Sequence, residues 1–153
     1  LLRFHTRFPI GIPERITDEF LFLLAQTRLQ TIIVLHINHP RELDDDIKTA
    51  CRRIQHTGTP ILCQTVLLRG VNDTVETLEE LSIELISCGI MPYYLHQFDR
   101  VAGAARFEVD LAHGKRLIAE LRRRLPGYAV PQYVQEIAGE ASKTPLTEQQ
   151  QRT

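Results

Sequence analysis

Thr31-Ile32-Ile33-Val34-Leu35-His36-Ile37 is an almost unbroken apolar run, and its reading decides the fold. A strand with one solvated face alternates apolar and polar residues, whereas a continuous run suits a parallel strand buried on both faces. Four further strand-like runs accompany it: Leu2–His5, Pro60–Leu68, Met91–His96 and Tyr128–Val134. Their starts fall roughly 30 residues apart, the length of one βα unit.

Helical patterns fill the intervals. Thr17 is a candidate N-cap, followed by Asp18 and Glu19 in the first turn and an apolar stripe through Phe20, Leu23 and Leu24. Leu43 to His56 reads as a second helix closed by Gly58, and Thr74 to Cys88 as a third ended by Gly89. Asp110 to Leu125 reads as a fourth, stopped by Pro126-Gly127. Gly114 inside it costs about 1 kcal/mol against alanine, which the surrounding pattern outweighs. The order β-α-β-α-β-α-β-α-β predicts a parallel sheet with right-handed crossovers. With no Gly-rich phosphate loop, an α/β fold of partial (β/α)-barrel type fits better than a Rossmann sheet. Such a portion leaves open edges, and the chain starts at Leu1 inside a strand-like run. Residues 1–145 are therefore expected to be the C-terminal part of a barrel whose N-terminal units are missing, and 146–153 a polar, disordered tail.

Composition narrows the function classes. The hydrophobic fraction of 43% and charged fraction of 24% are those of an ordinary globular protein. A net charge of −1 gives no field that favours nucleic acid or an anionic membrane. The only basic run, Arg122 to Arg124, falls at a predicted helix end and offsets the helix dipole. No apolar run approaches the ~20 residues of a membrane helix. Cys51, Cys63 and Cys88 have no metal-ligand spacing, which fits a reduced, cytoplasmic protein. Lysine occurs only at 48, 115 and 143, against 15 arginines, so each lysine invites a question.

Active-site groups of βα barrels sit at the C-terminal ends of strands, and here those ends are polar. They carry His5-Thr6-Arg7, then His36, Asn38 and His39, then Gln64, Arg69 and Asn72, then His96-Gln97-Phe98-Asp99, then Gln135-Glu136. Each residue also has a plain reading. His36 and His39 converge on a metal only if the chain turns at Asn38; Asn72 or Asp73 can simply cap a helix; Glu136 can pair with an arginine. Lys143 lies in Gly139-Glu140-Ala141-Ser142-Lys143-Thr144-Pro145, a small-residue loop. A lysine that anchors an aldehyde cofactor needs close backbone approach and partial burial, but a solvated loop lysine fits the same spacing.

Specific motifs then accumulate in order: Arg3-x-x-Thr6-Arg7-x-Pro9, Pro13-x-Arg15-Ile16-Thr17, His36-x-Asn38-His39-Pro40, Gln64-x-Val66-Leu67-Leu68-Arg69-Gly70-Val71-Asn72-Asp73, Pro92-Tyr93-Tyr94 through Asp99, and Lys143-Thr144-Pro145. In these the sequence resembles the lysine 2,3-aminomutase family of radical S-adenosyl-L-methionine enzymes, over nearly the whole chain. It is most similar to the branch that makes β-lysine for modification of elongation factor P. The resemblance implies a partial TIM barrel and an isomerase that moves the amino group of L-lysine from C2 to C3. It implies pyridoxal 5'-phosphate on Lys143, an ammonium site made by Asp99 and Glu136, and His36 and Gln64 facing S-adenosyl-L-methionine. It also implies a 4Fe–4S cluster, whose C-x-x-x-C-x-x-C ligands are absent from this chain, so the chain alone is not expected to catalyse the reaction. Glu136 stands where other members carry aspartate, and Thr74 where some carry a zinc-binding cysteine, so no metal ligand is assigned here. The partners implied are lysine and the elongation factor P pathway, with a homo-oligomer left open. An aminomutase for another basic amino acid, or a non-catalytic half-barrel binding module, remains the alternative.

Overall fold

The computed structural model describes residues 1–99 and 103–146; the expected tail beyond Leu146 lies outside the described residues. Five parallel strands follow one another across a single sheet: β1 (Leu2–Thr6), β2 (Thr31–His36), β3 (Ile61–Val66), β4 (Ile90–His96) and β5 (Gln132–Gln135). Between them lie α1 (Phe8–Gly11), α2 (Asp18–Gln26), α3 (Asp45–Gln55), α4 (Val75–Ser87) and α5 (Leu111–Arg124). The spatial order never reverses, so the sheet has no switch point of the doubly wound kind. A sixth strand, β6 (Thr144–Pro145), pairs antiparallel with β5 and was not announced by the sequence pattern.

The expected helices form, and Thr17 caps the first of them as expected. Thr17 Oγ1 accepts from Phe20 N, Asp44 from Ile47 N, Thr74 from Thr77 N and Asp110 from His113 N. Gly58 and Gly89 both close helices at positive φ. Arg124, at the end of α5, reaches Glu76 and Glu79 of α4, so this basic run also ties two helices together. The last strand is shorter than its apolar run. Gly127–Ala129 is a 3-10 turn, and Pro131 has no N–H to give a ladder, so pairing starts only at Gln132.

Register explains where the core sits. Side chains paired across a parallel ladder share a face, and Leu35, Cys63 and Leu95 with their neighbours Ile33, Ile61 and Tyr133 all fall on one. Onto that face pack Leu24 of α2, Ile47 and Ile54 of α3, Leu78 and Leu85 of α4, and Leu117 and Leu121 of α5. The opposite face carries His36, Gln64, Tyr94 and His96, and no described helix belongs to the clusters on that side.

A bulge controls this division. Cys63 pairs with Pro92 but Gln64 pairs with Tyr94, so Tyr93 is an extra residue in β4. Strict alternation from Pro92 would send Leu95 outward and His96 into the helices. The extra residue inverts the phase: Leu95 is fully buried, and His96 joins Tyr94 on the uncovered face.

Candidate active site

The uncovered face gathers most of the residues expected there. Gln64, Val66, His96, Asp99 and Glu136 line a cavity of about 290 Å3. Asp99 and Glu136 also border a second, adjoining space of about 500 Å3 with Gln97, Glu108 and Asp110. His36 stands beside Gln64 in register but does not line the cavity.

Lys143 arrives by the hairpin that β6 creates. Gln135 pairs with Thr144, and the residues just beyond that last pair are Glu136 and Lys143. The loop between them turns at Gly139, whose φ of 90° disfavours a side chain. Lys143 Nζ donates to Glu136 Oε1 and lies 5.9 Å from the centre of the Tyr94 ring. The Lys143 side chain is 29% exposed and that of Glu136 57%, so the pair is partly shielded and partly solvated. Hydrogen bonding to Lys143 holds the Glu136 carboxyl below its usual range. Burial, then the charge of Lys143, lowers the proton affinity of His96, although Glu136 and Asp99 pull the other way. His96 is therefore a neutral imidazole at physiological pH, and its Nε2 is buried with no partner among the described residues.

His36 is fixed differently. Asn38 Oδ1 accepts from Val66 N at 2.9 Å, so it must also be the acceptor for His36 Nε2 at 3.1 Å. That makes Nε2 the protonated nitrogen and leaves Nδ1 as an acceptor. Burial, followed by the charge of Arg7, keeps the ring neutral.

Several polar residues at the strand ends prove to be fasteners. Glu42 Oε1 accepts the N–H groups of Asn38 and His39, while its Oε2 takes Arg7 at 2.5 Å. Arg7 also donates to the His36 carbonyl. Asn72 is fully buried; its Nδ2 donates to the carbonyls of Asn38 and Val66, and its Oδ1 accepts from Leu68 N. That last bond takes Leu68 out of the β3 ladder, which is why β3 stops short of the expected run. Gln97 donates to Val109 O at 2.8 Å and accepts from Tyr133 Oη, holding the chain that leads to Asp99. His39 does not join His36: its Nδ1 accepts from Arg41 N and caps the 3-10 turn Pro40–Glu42. Asp73 accepts from Gly70 N within its own loop. Sequence pattern read Asn72 as a rim residue or a helix cap, His39 as a rim residue or a metal partner of His36, and Gln97 as a rim residue, and did not single out Glu42.

No protein-family profile matches the chain. The L-lysine 2,3-aminomutase of Haemophilus influenzae is 48% identical over 143 residues, 94% of this chain and 42% of that protein. That of Escherichia coli is 46% identical over 95% of the chain, again 42% of the relative. That of Clostridium subterminale is 35% identical over 95% of the chain and 35% of the relative. The chain thus spans about two-fifths of the length of these relatives. Among solved structures, a radical SAM methyltransferase from Sphaerobacter thermophilus superposes with a TM-score of 0.57 at 22% identity, covering 76% of this chain and 38% of its own; that is a likeness of fold. Over the stretch it spans, the chain belongs to the L-lysine 2,3-aminomutase family.

Proposed function

We propose that this chain forms the substrate-facing part of an isomerase that converts L-lysine to β-lysine by moving the amino group from C2 to C3. The observation that carries this reading is the meeting of Asp99 and Glu136 on one cavity rim, with Lys143 bonded to Glu136. In this reading the sheet is part of a (β/α) barrel, residues 1–145 belong to it, and the uncovered face is the barrel interior.

The residues present fit pyridoxal 5'-phosphate at Lys143, which offers an amine beside the Tyr94 ring at the border of an open cavity. When bound, that cofactor supplies a conjugated system across which an amino group can pass between neighbouring carbons. His36 and Gln64, side by side on the uncovered face, are the groups assigned to S-adenosyl-L-methionine; the acceptor Nδ1 of His36 suits an amine donor on that ligand. The cysteines do not fit a 4Fe–4S cluster. Cys51 and Cys63 are buried in the core, and burial pushes both thiols up to about 12, far from the thiolate that iron needs. The cluster's ligands are assigned outside this chain, and no radical step is ascribed to these residues.

What these residues do is select and hold. Two carboxylates at the rim favour a substrate with a cationic far end and penalise a neutral or acidic one. Neutral His96 beside them adds no competing positive charge. The ladder and the buried amides of Asn72 and Gln97 keep this geometry fixed from both sides. No described helix is long and apolar enough to cross a membrane, in keeping with a cytoplasmic site of action. Supply of β-lysine for elongation factor P is the use we assign to the product, on sequence likeness alone.

The test is turnover by the full-length protein that contains this chain, reconstituted with its cofactors and given L-lysine. β-Lysine is the expected product. Failure with lysine together with turnover of ornithine or arginine would overturn the choice of substrate.

A further inference from the structure

Lys143 carries, on its own four-carbon stem, the same ammonium that the substrate carries at its far end. In the structure that ammonium is bonded to Glu136, one of the two carboxylates assigned to the substrate. The pairing is built into the backbone. Glu136 and Lys143 directly follow and precede the last β5–β6 pair, Gln135 with Thr144, and the Tyr94 ring flanks the amine.

We propose that Lys143 acts as an internal surrogate for the substrate's ammonium, so that loading the cofactor is what opens the substrate site. The inference rests on the reading of Lys143 and Glu136 given under the proposed function. Before loading, the negative charge of Glu136 is neutralised from within, and an incoming lysine must displace Lys143 to use it. Loading joins the Lys143 nitrogen to the cofactor's aldehyde carbon through a new carbon–nitrogen double bond. The aldehyde oxygen leaves as water, and the remaining ammonium proton passes to solvent. Glu136 is then released to face the cavity it already lines. The lowered proton affinity of the Glu136 carboxyl, caused by Lys143, accords with this internal neutralisation. One residue thereby orders the sequence of events: cofactor first, substrate second, with no moving lid.

The experiment is calorimetric titration of L-lysine into the full-length protein. Cofactor-free Lys143→Ala is expected to bind lysine about two- to fivefold more tightly than the cofactor-free parent, the range set by a half-exposed ion pair. Lys143→Met, which keeps an apolar stem in place, is expected to behave likewise. The gain is expected to vanish when Glu136→Gln is added. Unchanged or weaker binding in both Lys143 variants overturns the surrogate role. Glu136→Gln in the cofactor-loaded protein separates the two readings. If it weakens lysine binding while the Lys143 variants show no gain, only the surrogate role falls. If it leaves lysine binding unchanged, the ammonium site itself is wrongly assigned and both fall.

Discussion

Burial makes His36 and His96 harder to protonate in the folded chain than in the unfolded one, where the ordinary value is 6.5. With the folded value depressed, the unfolded state binds more protons below that pH, so stability is present above about 6.5 and lost as pH falls through the folded value. Urea unfolding is therefore expected to shift to a lower midpoint between about pH 7.5 and about pH 5.5. His36→Gln with His96→Gln is expected to flatten that dependence; an equally steep profile in the double variant would remove these two groups as its source. Lys143 carries a sharper expectation. In the full-length protein, Lys143→Ala should lose cofactor that survives borohydride reduction and washing, and retention of that absorbance would put the anchor elsewhere. At this scale the sequence revealed which residues matter better than why. Asp99, Glu136 and Gln64 were legible as polar strand ends, and the fold brings all three to one cavity. Asn72 could not be told from a loop cap, because its partners Asn38 and Val66 are brought to it by the fold and not by a local pattern.

Between α5 and β5 the packing leaves no room for a side chain at position 114. A Cβ there would sit 2.1 Å from Tyr133 Oη and 2.5 Å from its ring carbon. Alanine would gain up to about 1 kcal/mol in helix propensity, but it must push aside a buried tyrosine that also bonds Gln97, and overpacking costs about 1–3 kcal/mol. The clash wins. Gly114→Ala is expected to lower Tm by several degrees, and a Tm equal to or above the parent's would show that Tyr133 can move freely. The same glycine is legible in the sequence only as a weak spot in a helix; its cause lies about 20 residues away on a strand. Helix positions were readable, and the Thr17 cap with them, because a cap acts within its own first turn; Thr74 acts there too, as do Asp44 and Asp110, which were not singled out in the sequence. β6 was not, since two residues carry no periodicity. Yet that strand is what brings Lys143 to the rim.

Across the whole molecule, one face of the sheet is sealed by helices and the other holds the chemistry. Protection should follow that plan. Hydrogen exchange is expected to be slowest in β2, β3 and β4, which are flanked by strands on both sides and packed on the largest buried residues. It is expected to be fastest around residues 137–142 and in β6, where exposed residues join a two-residue strand. Equal protection in β6 and β3 would mean that the hairpin is anchored far more firmly than its short ladder implies. The parallel order was legible because a βα repeat is a long-wavelength signal, whereas the face each residue occupies was not, because one inserted residue resets it. That insertion also offers a way to sort relatives. A relative with as many residues here but regular pairing straight on from Pro92 would present the neighbours of Tyr94 and His96 to the cavity instead, however well its motifs matched. Percentage identity would miss such a change; the pairing partner of Gln64 would expose it at once.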